Sequence, residues 1–264
     1  MAKRVLSIAG SDTWSGGGIQ TDLKTFDNLH TFGLSVITCI AIEENGQFMI
    51  RPLPLELTKE QLQTIENSFT LDAVKIGLLA DISTIDYILS FLKIKKEKFP
   101  VVLDPVLAFK ESSSQYQDSY VDKIMSLAEY ATILTPNLTE AKLLAGLAVI
   151  ENITQMKQAC LNIFAKSQCP VVIKGRDCIS KEKAFDLFYD GNNFQLLEGP
   201  VAKKKTVNGA GCCFSSAICA FLAQGCSLEK AIAKSKKFVY RAIENGLFID
   251  SQTGNVWYTG SCEQ

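Results

Sequence analysis

Short apolar, β-branched runs recur along the chain, separated by stretches in which apolar residues return every three to four positions. Arg4–Ala9 (RVLSIA) and Leu34–Ile42 (LSVITCIAI) read as buried strands, and Asp72–Ile76, Pro100–Leu103, Ala131–Leu134 and Pro170–Ile173 are shorter runs of the same kind. Strands that are apolar on both faces belong in a sheet covered on both sides. Between them lie amphipathic helical patterns. Thr58–Asn67 opens with Thr58 and Gln61 at capping-box spacing, Ile153–Lys166 is longer, and Ser227–Asn245 ends at the stop signal Asn245-Gly246. Alternating strands and helices predict an α/β fold with a mostly parallel central sheet. One segment departs from this pattern. Ala184–Phe188 and Phe194–Leu197 flank Tyr189-Asp190-Gly191-Asn192-Asn193, which predicts a small antiparallel edge hairpin.

In such sheets ligands gather beyond the carboxyl ends of the strands, so the loops there carry the candidate chemistry. After the first strand comes Gly10-Ser11-Asp12-Thr13-Trp14-Ser15-Gly16-Gly17-Gly18, then a helix from Ile19. It reads equally well as a flexible turn or as a place where backbone approaches a ligand closely. It fits neither nucleotide fingerprint, G-x-G-x-x-G or the Walker loop. Asp104-Pro105-Val106 places a carboxylate at a strand end, suited to magnesium or phosphate, or simply to a solvated turn. In Thr135-Pro136-Asn137-Leu138-Thr139-Glu140, Asn137 and Glu140 have capping-box spacing, which also sets Glu140 at a helix start near any bound phosphate. Lys174-Gly175-Arg176-Asp177 gathers two cations about a glycine. The strongest segment is Thr206–Ala217, where Gly209-Ala210-Gly211 leads into a helix of small residues. Successive free amides at a helix start form an anion hole. Cys212 falls on that first turn, where the local field is expected to lower a thiol's pKa.

Composition narrows the classes. The chain has 264 residues, of which 47% are hydrophobic and 21% charged, enough for a substantial core. Lys+Arg 27 against Asp+Glu 28 argues against a nucleic-acid binder held by phosphate neutralisation. No apolar run approaches the ~20 residues of a membrane span. The first apolar stretch is too short for the core of a secretory signal, so a cytoplasmic location is expected. His30 is the single histidine, which leaves little material for His-based triads or metal sites. Nine cysteines without a C-x-x-C pair suggest reduced thiols, mostly serving as small buried apolar groups.

Ala9–Gly18, Asp104–Val106, Thr135–Glu140, Val172–Gly175 and Gly209–Cys212 occur in the order and spacing of the ribokinase superfamily. They resemble its vitamin-kinase branch, the hydroxymethylpyrimidine (phosphate) kinases and bacterial pyridoxal kinases, over nearly the whole chain. The resemblance implies one three-layer α/β/α ribokinase-like kinase domain over residues 1–264, ATP with Mg²⁺, and phosphorylation of a hydroxymethyl group. By position, Gly209, Ala210 and Gly211 would cradle the transferring phosphate and Cys212 would take the acceptor proton. Asn137 would lie by the ATP phosphates, with Glu140 and Asp104 toward Mg²⁺. Lys174, Gly175, Arg176, Asp177 and Cys178 would line the nucleotide cleft, joined by Asp186 and Lys236. Asp12, Gly16, Gly17 and Gly18 would face the vitamin ring, with Glu43 and Phe109 completing the pocket. Glu43 stands where the pyrimidine kinases carry Gln, Phe109 where related pyridoxal kinases carry a second Cys, and Trp14 where a small residue is usual. Ala184–Leu197, Asn208–Cys212 and Lys237–Ile243 look more like the pyridoxal-kinase subgroup. A vitamin B6 kinase is therefore expected, with a hydroxymethylpyrimidine kinase as the alternative and a non-catalytic vitamin- or nucleotide-binding paralogue as a third reading, against which the intact Gly209–Cys212, Asn137 and Glu140 count. Relatives of this kind form homodimers, so a homodimer is expected.

Overall fold

A computed structural model describes residues 2–45, 47–95, 98–107, 114–176 and 182–258. The core strands follow the apolar runs: β1 (Lys3–Asp12), β2 (Thr31–Glu44), β4 (Ala73–Ile76), β5 (Val101–Leu103), β6 (Ile133–Leu134) and β7 (Val171–Arg176) are mutually parallel. With β3 (Gln47–Pro52), β8 (Lys183–Tyr189) and β9 (Phe194–Pro200) they form one sheet, ordered β3-β2-β1-β4-β5-β6-β7-β8-β9. The Asp-Gly hairpin is present as β8–β9, antiparallel at one edge. The opposite edge carries a second antiparallel pair, β2–β3, in which Glu44 pairs with Gln47. Its signal, Asn45-Gly46 between the two strands, is in the sequence. A small separate ladder joins β10 (Leu247–Phe248) to β11 (Gly254–Asn255).

Side-chain alternation divides the core into two layers. Leu6, Ile8, Val74 and Ile76 pack on one face with α2 (Leu55–Ser68), α3 (Ile82–Lys95), α4 (Ser114–Ala128), α5 (Leu138–Ala145) and α6 (Ile153–Ser167). Val5, Ala73, Val102, Ile133 and Val172 face α1 (Gly18–Asn28), α7 (Ala210–Ala223) and α8 (Leu228–Glu244). The result is the expected three-layer α/β/α arrangement. Cys39, Cys160, Cys169, Cys213 and Cys219 are buried. No helix among the described residues is long and apolar enough to cross a membrane.

Two boundaries differ from the sequence reading. β1 continues through Gly10 to Asp12, with a register shift between Ala9 and Ser11, because β2 keeps pairing with it up to Ala41. The glycine loop therefore begins later than the apolar run suggests. α2 starts before Thr58, with Pro54 at its N-cap and no side-chain cap, so the Thr58/Gln61 capping box does not form. Gln61 is used elsewhere. Its Oε1 accepts from the Ile37 amide at 2.9 Å and its Nε2 donates to the Ile37 carbonyl at 3.0 Å. The β2–β3 ladder runs only from Cys39 onward, so Gln61 stands in for the missing strand partner at Ile37. Gln61→Ala should lower unfolding free energy by about 1–3 kcal/mol, the cost of leaving a partly buried backbone group unpaired. Urea denaturation checks this, and an unchanged midpoint would mean water replaces the amide.

Candidate active site

Two helix N-termini meet beyond the carboxyl edge of the sheet. α7 begins at Gly209, which is left-handed at φ 81°. A β-carbon there would lie 2.5 Å from the Gly16 carbonyl oxygen, so glycine is required both by conformation and by contact. Gly18, at the start of α1, has φ 57° and would place a β-carbon 2.2 Å from the Gly10 carbonyl oxygen. Gly209 lets the Asn208–Cys212 turn lie against the Asp12–Gly18 loop, and Gly18 lets that loop fold back on Gly10 at the end of β1. The Ala210 amide turns back to the Val207 carbonyl at 3.1 Å. The Gly211 and Cys212 amides meet no acceptor among the described residues, which leaves two donors at the positive end of α7. Of the amides expected to form an anion hole, Gly211 is thus free, as is Cys212 beside it, and Ala210 is engaged.

The Cys212 thiol lies against the start of α1. A β-carbon on Gly17 would sit 3.8 Å from both the Cys212 Sγ and the Asp12 Oδ2, so thiol and carboxylate border one hollow. The other oxygen of Asp12 accepts from the Trp14 amide at 3.0 Å. The thiol's proton affinity departs from expectation. Burial pushes Cys212 up to about 11, and although the Lys75 charge pulls it down, Asp104 and Asp22 push with burial. Desolvation outweighs the helix start, and the resting group is a neutral thiol.

Beside the free amides stands a second cluster. Lys174 Nζ donates to Asp104 Oδ1 at 2.8 Å and would lie 3.3 Å from a β-carbon on Gly211. Burial disfavours its charge, but Asp104 and Glu140 outweigh that and hold its pKa above the ordinary lysine value. Asp104 is almost fully buried. Its Oδ1 also accepts from Thr135 Oγ1 at 3.1 Å and its Oδ2 from Ser215 Oγ at 3.0 Å. Both carboxylate oxygens are thus occupied by protein donors. Asn137 and Glu140 form the expected capping box at the start of α5. Burial raises Glu140 to about 7; Lys174 opposes this and Asp104 adds to it. Such a carboxylate, buried beside a single cation, suits a divalent ion that brings its own waters and phosphate ligands. The described residues hold no cluster of three or more His, Cys, Asp or Glu that would bind a metal unaided. This donor set fits Mg²⁺ carried in by a nucleotide.

The remaining residues singled out in the sequence scatter more widely. Asp186 and Lys236 form an ion pair of 2.6 Å, and Asp186 also accepts from the Gly175 amide at 3.1 Å, so this pair braces β7 against α8. Arg176 ends β7, exposed, with φ 56°. Glu43 is exposed on β2 opposite Phe48, without a hydrogen bond to the cluster among the described residues. Phe109, Asp177 and Cys178 lie outside the described residues.

Three features escaped the sequence reading. Asn255 donates to the Trp14 carbonyl at 2.9 Å and accepts from Asn208 Nδ2 at 3.3 Å, tying the two site loops to the C-terminal ladder. Consecutive serines on α7 hold two different aspartates, Ser215 on Asp104 and Ser216 on Asp22. Asp22 in turn holds Lys75, and both are fully buried. The lysine had a signal: a charge inside the apolar run Asp72–Ile76 requires a buried counter-ion.

Glu140 generates a pH prediction. Its folded pKa, about 7, exceeds the ordinary glutamate value of 4.5. Neutral Glu140 therefore favours the folded state at low pH, and that contribution is lost as pH rises through about 7. Ligand-free Glu140→Gln should melt higher than the parent protein near pH 8, and the gap should close near pH 5. Thermal melts across that range check it; a gap independent of pH would remove Glu140 from the titration.

A family model described as phosphomethylpyrimidine kinase matches residues 12–257. The pyridoxine kinase of Bacillus subtilis (strain 168) is 34% identical over 255 residues, covering 95% of this chain and 94% of that protein. The hydroxymethylpyrimidine/phosphomethylpyrimidine kinase of Haemophilus influenzae is 35% identical over 97% of each chain. The solved structure of the pyridoxal kinase from Staphylococcus aureus in complex with AMP-PCP and pyridoxal matches with a TM-score of 0.88 at 35% identity, covering 97% of this chain and 93% of that one. The matched span includes both glycine turns, the Asp104–Lys174 cluster and the Asn137–Glu140 cap. With its three-layer ribokinase-like fold and this strand-end site, the chain belongs to the phosphomethylpyrimidine kinase family.

Proposed function

We propose that this ATP-dependent small-molecule kinase phosphorylates the hydroxymethyl group of a vitamin B6 form, with Mg²⁺ accompanying the nucleotide. The observation that carries the phosphoryl-transfer part is the start of α7, where two amides without an acceptor among the described residues, the Lys174 ammonium and the Cys212 thiol converge. In the reaction the acceptor oxygen forms a bond to the γ-phosphorus, the bond from that phosphorus to the β–γ bridging oxygen breaks, and the hydroxyl proton leaves. Positioning and charge stabilisation dominate such transfers. The Gly211 and Cys212 amides would hold the equatorial oxygens of the moving group, and Lys174, kept charged by Asp104, would offset their negative charge. Glu140 and Asn137 would stand on the nucleotide side, with Glu140 toward the metal-bound water. When bound, Mg²⁺ neutralises charge on the β- and γ-phosphates.

Cys212 would take the departing proton. With a pKa of about 11 the thiol would first release its own proton to solvent, and the thiolate so formed would take the proton from the acceptor hydroxyl as the new oxygen–phosphorus bond forms. Asp12, whose Oδ2 borders the same hollow, would orient the ring together with the Gly16–Gly18 backbone.

The B6 assignment rests on the pyridoxal-kinase character of Ala184–Leu197 and of Asn208–Cys212, and on the B. subtilis and S. aureus relatives. A second reading is favoured by the family's name and the H. influenzae relative: the same chemistry on hydroxymethylpyrimidine or its phosphate. Identity to the two kinds of relative is nearly equal, at 34% and 35%, so it does not separate them. The phosphate machinery cannot separate them either, because both acceptors are flat nitrogen heterocycles bearing a hydroxymethyl group.

Two measurements test the proposal. Cys212→Ser should retain ATP affinity and lose about 10²–10⁴-fold in turnover, the usual contribution of a general base; near-native turnover would remove Cys212 from that role. A panel of pyridoxal, pyridoxine, pyridoxamine, hydroxymethylpyrimidine and its phosphate should give the highest kcat/KM with pyridoxal or pyridoxine. A clear preference for the pyrimidine phosphate would move the assignment to the second reading.

A further inference from the structure

We propose that the buried Asp22–Lys75 ion pair is a positioning device for phosphoryl transfer, locking the first turns of α1 and α7 together so that the Cys212 thiol stays against the start of α1 beside the free amides of α7. The inference rests on the reading of Cys212 as proton acceptor.

The geometry is a two-rung ladder between parallel helix starts. On α1, Gly18 and Asp22 are four residues apart; on α7, Cys212 and Ser216 are four residues apart. Positions with that spacing share one face of a helix. At the upper rung the Cys212 sulfur lies against the start of α1, 3.8 Å from where a β-carbon on Gly17 would stand. The lower rung joins Ser216 Oγ to Asp22 Oδ1 at 2.6 Å. Lys75 Nζ reaches the same carboxylate at 3.0 and 2.8 Å, and Ser7 Oγ donates to it at 2.5 Å. Every acceptor position on Asp22 is therefore taken, by donors from β1, β4 and α7 together. Asp22, Lys75, Ser7 and Ser216 are all fully buried. Gly77 leaves room for the ammonium, since a β-carbon there would meet Lys75 Nζ at 2.7 Å.

Stability alone is a poor reason for such a pair. Two buried charges lose their hydration, and apolar replacements of similar volume are often neutral or stabilising. A fully satisfied polar network instead fixes one geometry, because each alternative leaves a buried donor or acceptor unpaired. Here the fixed geometry is the rung that carries the thiol. Lys75 also exerts the main pull against the desolvation of Cys212, which agrees with a role at the reacting end of the helix. A shift of about 1 Å at a catalytic group can cost on the order of 10²-fold in rate.

The test compares the parent enzyme, Ser216→Ala, the charge-neutral double variant Asp22→Asn/Lys75→Met, and Cys212→Ser in steady-state assays with ATP and the best vitamin acceptor, alongside thermal melts. Ser216→Ala should lower kcat about threefold to tenfold, and the double variant about tenfold or more, with KM for ATP held within about twofold. Both should melt close to the parent protein, so a purely structural role would leave kcat alone. Unchanged kcat in the two variants while Cys212→Ser is inactive overturns this inference and leaves the base assignment standing. An active Cys212→Ser overturns the base assignment itself. Should the double variant fail to fold, Ser216→Ala decides, because it removes one hydrogen bond and leaves both charges paired.

Discussion

The contact between the backbone at Gly209 and the carbonyl of Gly16 governs the arrangement of the site. With a β-carbon 2.5 Å from that oxygen excluded, the two turns can touch only as bare backbone. Their closeness brings the Cys212 thiol to the start of α1, and the Gly211 and Cys212 amides meet no acceptor among the described residues. The sheet supplies the platform: β1 lies third from one edge, parallel to both neighbours, and the loop that leaves its carboxyl end meets the start of α7. An open helix start is unfavourable until an anion fills it, and close packing beneath keeps it from relaxing shut.

That packing is unusually polar. Directly under α7, Ser215 and Ser216 engage Asp104 and Asp22, and each aspartate is paired with a buried lysine. The two pairs are alike in construction and different in exposure. Lys174 keeps a partly exposed side chain near Gly211, whereas Lys75 is fully enclosed. The first charge can meet a phosphate and the second cannot. A site for a highly charged donor thus combines one cation at its surface with one in its foundation, and the aspartates keep both from being stranded in an apolar layer.

Acceptor choice rests on a different part of the molecule. The hollow between Asp12 and Cys212 provides a carboxylate oxygen and backbone, which would serve a pyridine or a pyrimidine alike. Asn255, clamped between Trp14 and Asn208, sets the outer wall of that hollow from the far end of the chain. Specificity of this kind comes from hydrogen bonds at the ring edge, and unlike the anion hole it need not leave a mark in the glycine pattern.

The sequence by itself determined the parallel strands, the β8–β9 hairpin, the Asn137–Glu140 cap and the glycine-rich start of α7, because each depends on local periodicity, turn chemistry or spacing within a few residues. Even the β2–β3 edge was legible in Asn45-Gly46, though the consecutive Phe48, Met49 and Ile50 hide the alternation. Tertiary structure decided the rest. Gln61 abandoned its capping spacing because a strand edge at Ile37 lacked a partner. Ala210 closed its amide on Val207, leaving Gly211 and Cys212 as the free amides of this turn among the described residues. Cys212 became a weak acid, since desolvation by surrounding chain outweighs the field of its own helix. Asp22 found Lys75 across more than fifty positions of sequence, the separation of their hydrogen bond being 53. Burial and long-range charge pairing are properties of the assembled layers, and no window of neighbouring residues contains them.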